Sequence, residues 1–293
     1  MKIRFVKHND IDKTTYDRCI LAAPNGVLYA MSWYLDVVAP GWQLLATPDY
    51  TWVMPLPGKE KFGIPYMLQP LMCQQLGIFS PEKINREVYL HFLKKIPAVY
   101  CILQLNSGNL FDQKEVRPNY LLDLRPDYKT IQSRYHANTR VHLKKACKAG
   151  LTTESTTNVT TLLEWTQQQS AHYTGKVGNM AQKLSVQAQE KGSLYVRCVR
   201  DETTSELLSG VLFFRWKDRF YYLIPVSSPQ GKQTGAMRLL MDRFIAEWAG
   251  ENHWIDLEGS AIPSVAQFYR SFGASPEWYP VFRNSIARIF SSY

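Results

Sequence analysis

Met237, Leu240, Met241, Phe244, Ile245 and Trp248 fall at i, i+3, i+4, i+7, i+8 and i+11. Only an α-helix turns that spacing into one continuous apolar face, and such a face must be buried against something. The chain supplies the partner just upstream. Residues 194–199, 210–216 and 220–225 are apolar, β-branched and aromatic runs, separated by the polar turns 201–205 and 217–218. They read as consecutive antiparallel strands. A glycine-bearing loop, 228–236, joins the last run to the helix. Downstream, 253–257 reads as a strand and 265–272 as a short helix ended by Gly273. The order predicts an α/β fold of the α+β type, a mixed sheet with the helix laid on it.

The first half reads less sharply. Tyr16, Cys19 and Ile20 have helical spacing, stopped by Pro24-Asn25-Gly26, and Ser32 is placed to cap a helix from Trp33 that ends at Pro40-Gly41. Strands are expected at 42–47, 51–56, 98–105 and 120–124, a helix at 82–95, and a turn-rich stretch at 63–66. Arg125-Pro126-Asp127 is the best punctuation, and it sets a domain boundary: 1–124 and 125–293. Beyond it a helical region runs to Gly150, and a helix over 162–173 leads into a loop at 175–178. At 293 residues the chain is long enough for two cores.

Several classes fall away. No apolar run approaches the roughly 18 residues of a membrane span, and the basic start MKIRFVKHND is not followed by a leader-like apolar stretch. The five cysteines are odd in number, scattered and without a CxxC pair, which points to reduced, buried thiols in a cytoplasmic protein. The histidines lack metal-ligand spacing, so no metal is expected. No G-x-S-x-G elbow is present, which favours direct transfer over a covalent serine intermediate. With 34 Lys and Arg against 25 Asp and Glu, the formal charge of +9 favours anionic partners.

The candidate site residues cluster late in the chain. Gln230, Gly231, Lys232, Gln233, Thr234, Gly235 and Ala236 precede a helix start, where glycines permit close backbone approach and free N–H groups attract phosphate. The alternative is an ordinary strand-to-helix turn. Glu258, at a strand end, is the candidate general base for an amine acceptor, or else a structural carboxylate, and Ser260 follows it. Tyr269 either packs beside Phe268 or donates a proton. His172 and Tyr173 either border the acceptor cleft or end a helix. Tyr66 and Gln69, with Trp33 and Tyr34, are candidates for an extended acceptor site, although core packing suits Trp33 better. Between Asp127 and Glu154 there is no acidic residue, and Arg140, Lys144 and Lys148 recur every four positions. That cationic stripe meets either phosphates of tRNA or a nucleotide, or only water.

Two motifs carry a resemblance. Gln230 to Ala236 resembles the acyl-CoA loop of GNAT acyltransferases, R/Q-x-x-G-x-G/A: Gln230 and Gly235 match, and Gln233 stands where the first glycine is usual. Ala266-Gln267-Phe268-Tyr269 with Gly273-Ala274 looks like a later motif of that fold. Upstream, Asn138-Thr139-Arg140 followed by Leu143-Lys144-Lys145-Ala146 and Gly150-Leu151 is similar to the N-T-R-R-N-L-K-K-A-x-x-x-G-L/V segment of FemABX-type proteins. Asn25 to Trp33 resembles their N-terminal stretch. The resemblance implies two GNAT-like halves, the N-terminal one degenerate. It implies an N-acyltransferase of bacterial type that uses acyl-CoA as co-substrate and a small-molecule or peptide amine as acceptor. Within it stand two alternatives: an aminoacyl-tRNA-dependent peptidyltransferase acting on a cell-wall precursor, and a non-catalytic binding module. By the same resemblance, backbone N–H groups near Val226 and Ser227 would hold the oxyanion where a strand splays, and Tyr269 would protonate the departing thiolate.

Overall fold

The computed structural model describes residues 1–111, 114–259 and 262–284. Two compact units emerge: Met1–Pro118 together with the segment from Trp278, and Asn119–Glu277. The division falls ahead of the expected boundary at 124/125, and the chain returns to the first unit at its end. Arg125-Pro126 lies inside the second unit. The Gly250 N–H donates to the carbonyls of both Leu124 (2.8 Å) and Pro126 (3.0 Å), which fastens that turn into the second unit.

The first unit comprises β1 (Arg4–Val6), α1 (Lys13–Ala22), α2 (Ser32–Val38), β2 (Gln43–Ala46), β3 (Val53–Leu56), β4 (Gly58–Lys61), β5 (Ile64–Leu68), α3 (Arg86–Lys94), β6 (Tyr100–Gln104) and the start of β7 (Val116–Asp123). Asp12 caps α1 and Asn85 caps α3, each side chain accepting a backbone N–H three residues on. β1, β2 and β3 form an antiparallel sheet in that order. The stretch 63–66, expected as a turn, instead closes the β4–β5 hairpin and begins β5, which then pairs in parallel with β6. Asn25, Asn106 and Asn109 form an amide network around the Ile78 backbone: Asn109 Oδ1 accepts its N–H at 2.7 Å, and Asn25 Nδ2 donates to its C=O at 2.9 Å. Such a network is stable inside a core only because its polar groups find partners.

The second unit continues with α4 (Tyr128–Ser133), α5 (Ala137–Lys148), β8 (Leu151–Ser155), α6 (Val159–Gln169), α7 (Gly175–Glu190), β9 (Leu194–Asp201), β10 (Leu207–Trp216), β11 (Arg219–Ser227), α8 (Pro229–Thr234), α9 (Ala236–Trp248), β12 (Trp254–Asp256) and α10 (Pro263–Arg270); β13 (Ser275–Arg283) carries the chain back to pair with β6. Its strands are ordered β7-β12-β11-β10-β9-β8. β11 and β12 run parallel, and the other neighbours are antiparallel. The sheet is mixed, as the sequence predicts. The expected loop at 175–178 is the first turn of α7. Its apolar face is made of small and thin residues (Met180, Ala181, Leu184, Ala188), so its periodicity is faint.

The apolar stripe of α9 covers one face of this sheet. Phe244 stacks on Phe213 with centroids 3.9 Å apart, and Phe220 meets Phe244 edge-on at 5.1 Å. Side chains alternate along a strand. Gly210 therefore faces the other way, under Leu162 of α6. The sheet thus lies between α5 and α9 on one side and α6 and α7 on the other. No helix among the described residues is long and apolar enough to cross a membrane. Of the cysteines, four are buried as expected, but Cys147 on α5 is exposed.

Phe244→Ala removes the ring at the centre of this face. The expected cost is about 3–5 kcal/mol, read as a lower urea midpoint with an unchanged denaturant slope. A loss below about 1 kcal/mol would mean the α9 face is not the main seam of the unit.

Candidate active site

The site begins where two strands part. β11 pairs with β12 only over Arg219–Tyr221, opposite Trp254–Asp256, yet it runs on beside β10 as far as Ser227. After Asp256 the chain stays with β7 instead: the Leu257 N–H donates to Tyr120 C=O (2.9 Å), and the Tyr120 N–H donates to Glu258 C=O (3.2 Å). The turn is held by the Asp256 carboxylate, which accepts the Glu258 N–H at 3.0 Å and faces Arg219 at 3.4 Å. Burial raises the Asp256 carboxyl above its ordinary value, and Arg219 and the Glu258 N–H oppose that rise. Glu258 itself sits at φ 60°, a left-handed conformation that costs a non-glycine residue about 1–3 kcal/mol.

The far end of β11 is therefore open on its β12 side. The Ser228 N–H donates to Leu208 C=O at 3.0 Å, which makes 228 and 208 a hydrogen-bonded antiparallel pair. Such pairs alternate with non-bonded ones. The Val226 N–H is accordingly engaged with β10, while the Ser227 N–H points into the gap. Pro225 has no N–H to offer.

Beside this gap lies a cavity of about 370 Å³, lined from three elements. β11 contributes Tyr222, Pro225, Val226 and Ser227. The segment after it contributes Gly231, Lys232, Gly235, Met237 and Arg238, and α10 contributes Ser264, Val265, Phe268 and Tyr269. The expected glycine loop is helical. Ser228 caps α8, its Oγ accepting the Gly231 N–H at 3.0 Å, and Gly235 breaks α8 from α9 at φ 79°. The two glycines have different reasons. A Cβ on Gly231 would lie 2.0 Å from the Leu208 carbonyl oxygen, so helix-to-strand packing demands it. A Cβ on Gly235 would lie 3.3 Å from the His142 carbonyl oxygen, besides the strain of its positive φ. Both are accounted for within the fold, whereas the sequence suggests ligand approach. Gln230 and Gln233 are exposed on α8, Thr234 is half-buried and Ala236 is buried in the core, and none of these four lines the cavity.

The cavity is electropositive. At the start of α9 the Arg238 and Leu239 N–H groups donate to the Gly235 carbonyl at 3.0 and 3.2 Å, while those of Ala236 and Met237 precede the first acceptor within α9. Lys232 and Arg238 flank them. Arg238 lies near the N-terminus of α9, where the helix dipole disfavours a cation. Its guanidinium carbon sits 5.3 Å from the Phe268 ring centroid, its Nε is buried without a hydrogen bond among the described residues, and burial lowers its pKa. His142 lies behind it, with a buried, unpartnered Nδ1. Burial first, then the Arg238 and Lys145 charges, push its pKa down. Arg238 is not among the residues the sequence singles out, because the glycine pattern lies in the loop before it; its signal is a cation at the N-terminal end of a helix.

Tyr269 is buried on the cavity wall, with its ring 6.1 Å from Tyr222 and 5.8 Å from Tyr120. Burial raises its phenol pKa, and the charges of Glu258, Tyr173 and Asp256 add to the rise. Tyr173 is raised likewise by burial and by Glu258, and its hydroxyl donates to Leu223 C=O at 3.4 Å. Glu258, Tyr173 and Tyr269 thus lie within electrostatic reach of one another, although Glu258 does not itself line the cavity. His172 only stacks edge-on against Tyr173, at 4.9 Å. Tyr66 and Gln69 belong to the first unit. The Gln69 amide is spent there, donating to Cys73 C=O (2.8 Å) and accepting the Gln104 N–H (3.0 Å), so it ties β5 to β6. Tyr34 is fully buried, its hydroxyl bonded to Met72 C=O. Ser260 lies outside the described residues.

No protein-family model matches the chain, and no curated protein matches it in sequence. Solved structures do match in fold. FemX aligns at a TM-score of 0.66 with 13% identity, over 100% of this chain and 99% of its own. A tandem GNAT protein from the clavulanic acid biosynthesis pathway, solved without AcCoA, gives 0.52 and 12%, over 96% and 98%. L-PGS from Bacillus licheniformis gives 0.52 and 10%, over 84% and 86%. The chain has the fold of these FemX-like and tandem GNAT proteins.

The structural role of Gly235 is open to measurement in the free protein. Gly235→Val is expected to lower its stability by about 1–3 kcal/mol, seen in thermal unfolding without any ligand. Unchanged stability would return Gly235 to a ligand-contact role alone.

Proposed function

We propose that the second unit is an N-acyltransferase centre that takes an acyl thioester of CoA and passes the acyl group to an amine. The observation that carries this reading is the cavity at the parting of β11 and β12. On one side it offers Lys232, Arg238 and the first turn of α9, and on the other the buried phenol of Tyr269, with no carboxylate among its lining residues. Such a cationic wall suits the pyrophosphate of the donor. The amine nitrogen attacks the acyl carbonyl, a C–N bond forms, and the Ser227 N–H faces the developing oxyanion. Glu258 takes the amine proton, directly or through water. The C–S bond then breaks, and the thiolate takes a proton from Tyr269. Tyr173 and Glu258 shape the acceptor side, and the acceptor is a small-molecule or peptide amine.

A second reading, an aminoacyl-tRNA donor and a cell-wall precursor as acceptor, is favoured by the FemABX-like segment around Arg140 and by agreement in fold with FemX over the whole chain. A binding module without turnover is the third.

Thermal shift and turnover with acetyl-CoA separate these readings. Arg238→Ala is expected to weaken CoA binding about tenfold or more, as loss of a charged hydrogen-bond donor does. Glu258→Gln should lower kcat by about 10²- to 10⁴-fold with donor affinity unchanged. Tyr269→Phe should also act on kcat. Because burial holds the Tyr269 phenol protonated past its ordinary value, wild-type turnover should not fall between about pH 8 and 10 for want of that proton. No shift with any CoA species, beside a steeply salt-dependent response to aminoacyl-tRNA, would replace the first reading by the second. Binding of CoA with no acyl transfer to any amine would leave the third.

A further inference from the structure

A larger cavity, of about 720 Å³, lies between α4, α5 and α9. It is separate from the transferase cavity, with which it shares no lining residue. The cationic stripe of α5 faces it: Arg140, Lys144 and Lys148 are joined by Lys129 of α4 and Arg243 of α9. All five are exposed, and no ion pair among the described residues involves them. Arg140 also donates to the Ser133 carbonyl at 2.7 Å, but like charges so gathered repel one another.

The interior is of another kind. Asp242 is only 6% exposed, and its Oδ1 accepts the Tyr128 hydroxyl at 2.9 Å, while the Tyr128 oxygen accepts from Gln132 Nε2 at 2.7 Å. Tyr135 is 3% exposed, and its hydroxyl lies against the Asp242 carboxylate at looser geometry than the Tyr128 bond. A carboxylate drawn out of water and held by phenols, with no ion-pair partner among the described residues, is a standing cost that apolar packing does not explain. Leu143 and the rings of Tyr128 and Tyr135 give the wall an apolar part.

We propose that this cavity is a second binding site for a phosphorylated ligand of mononucleotide size. The phosphate sits on the lysines and arginines of the rim, the flat body lies against Leu143 and the tyrosine rings, and an amino or hydroxyl group of the ligand reaches Asp242 and Tyr135. The volume falls within the range of small-molecule sites, about 300–1,000 Å³. A nucleic acid strand fits less well, since backbone phosphates would meet the rim but leave the buried Asp242 and Tyr135 unanswered.

Calorimetric titration of the full chain with AMP, UMP, ribose 5-phosphate and inorganic phosphate tests this. Saturable one-to-one binding of a nucleoside monophosphate is expected, weakening as salt rises. Tyr135→Phe and Asp242→Asn should each weaken it about tenfold or more and leave inorganic phosphate unaffected. Lys144→Gln with Lys148→Gln should weaken both. Arg238→Ala, in the other cavity, should change neither, and CoA should not compete, so the result stands apart from that of the transferase reading. Should Asp242→Asn fail to fold, Tyr135→Phe and the exposed lysine pair still decide. The proposal falls if none of the four compounds binds, if binding is lost in Arg238→Ala and kept in the lysine pair, or if only an RNA oligonucleotide binds.

Discussion

At the end of β12 the Asp256 carboxylate is taken out of water, with 2% of the residue exposed, and is held between Arg219 and the Glu258 N–H. An unpaired charge there would be expensive, and a lost partner would leave the other stranded. The pair therefore fixes both the register of β11 against β12 and the left-handed turn that swings the chain towards β7. Once that turn is made, β11 has no strand partner on its β12 side beyond Tyr221 among the described residues. The gap, the free Ser227 N–H and the cavity between α9 and α10 all follow from it. A short parallel pairing that ends on a buried ion pair is thus the hinge on which the proposed chemistry turns.

The two cavities of the second unit share α9 but differ in electrostatic design. Arg238 faces the cavity beside β11, its Nε without a hydrogen bond among the described residues, and Asp242, one turn on, lies in the wall of the other. Neither residue is placed for helix stability, since one opposes the dipole and the other sits in an otherwise apolar layer. The stability of the helix comes from the opposite face, where Phe244 stacks on Phe213. That division of labour lets one helix carry a core seam and two polar surfaces. The first unit solves a related problem by closing its polar residues on themselves, through Asn25, Asn106 and Asn109 around Ile78.

Much of the second unit was legible along the chain because its signals are local. The α9 stripe, the runs that became β9, β10 and β11, and the Ala266 to Gly273 segment each show their period within a dozen residues. The elements that escaped have weak or ambiguous local signals: α7 opens on Gly175 and Gly178, β8 is mostly threonine and polar, and β5 begins in Gly63-Ile64-Pro65. Arg125-Pro126-Asp127 reads as a domain boundary because proline and charge look alike at a boundary and in a tight turn; only the Gly250 hydrogen bonds tell them apart.

For the site, the sequence by itself determined which segments line the cavity: the stretch after β11, and α10 with Tyr269. Their glycine, charge and aromatic pattern is a property of contiguous residues. It did not determine why those residues are there. That Gly231 answers the Leu208 carbonyl, that Ser227 rather than Val226 frees its N–H, and that the α5 stripe faces a cavity with Asp242 at its base are relations between residues far apart in the chain. Such relations depend on helix packing, on strand register and on where β12 stops, and a one-residue slip of a strand would turn its side chains and N–H groups to the other side. Only the tertiary structure decided them.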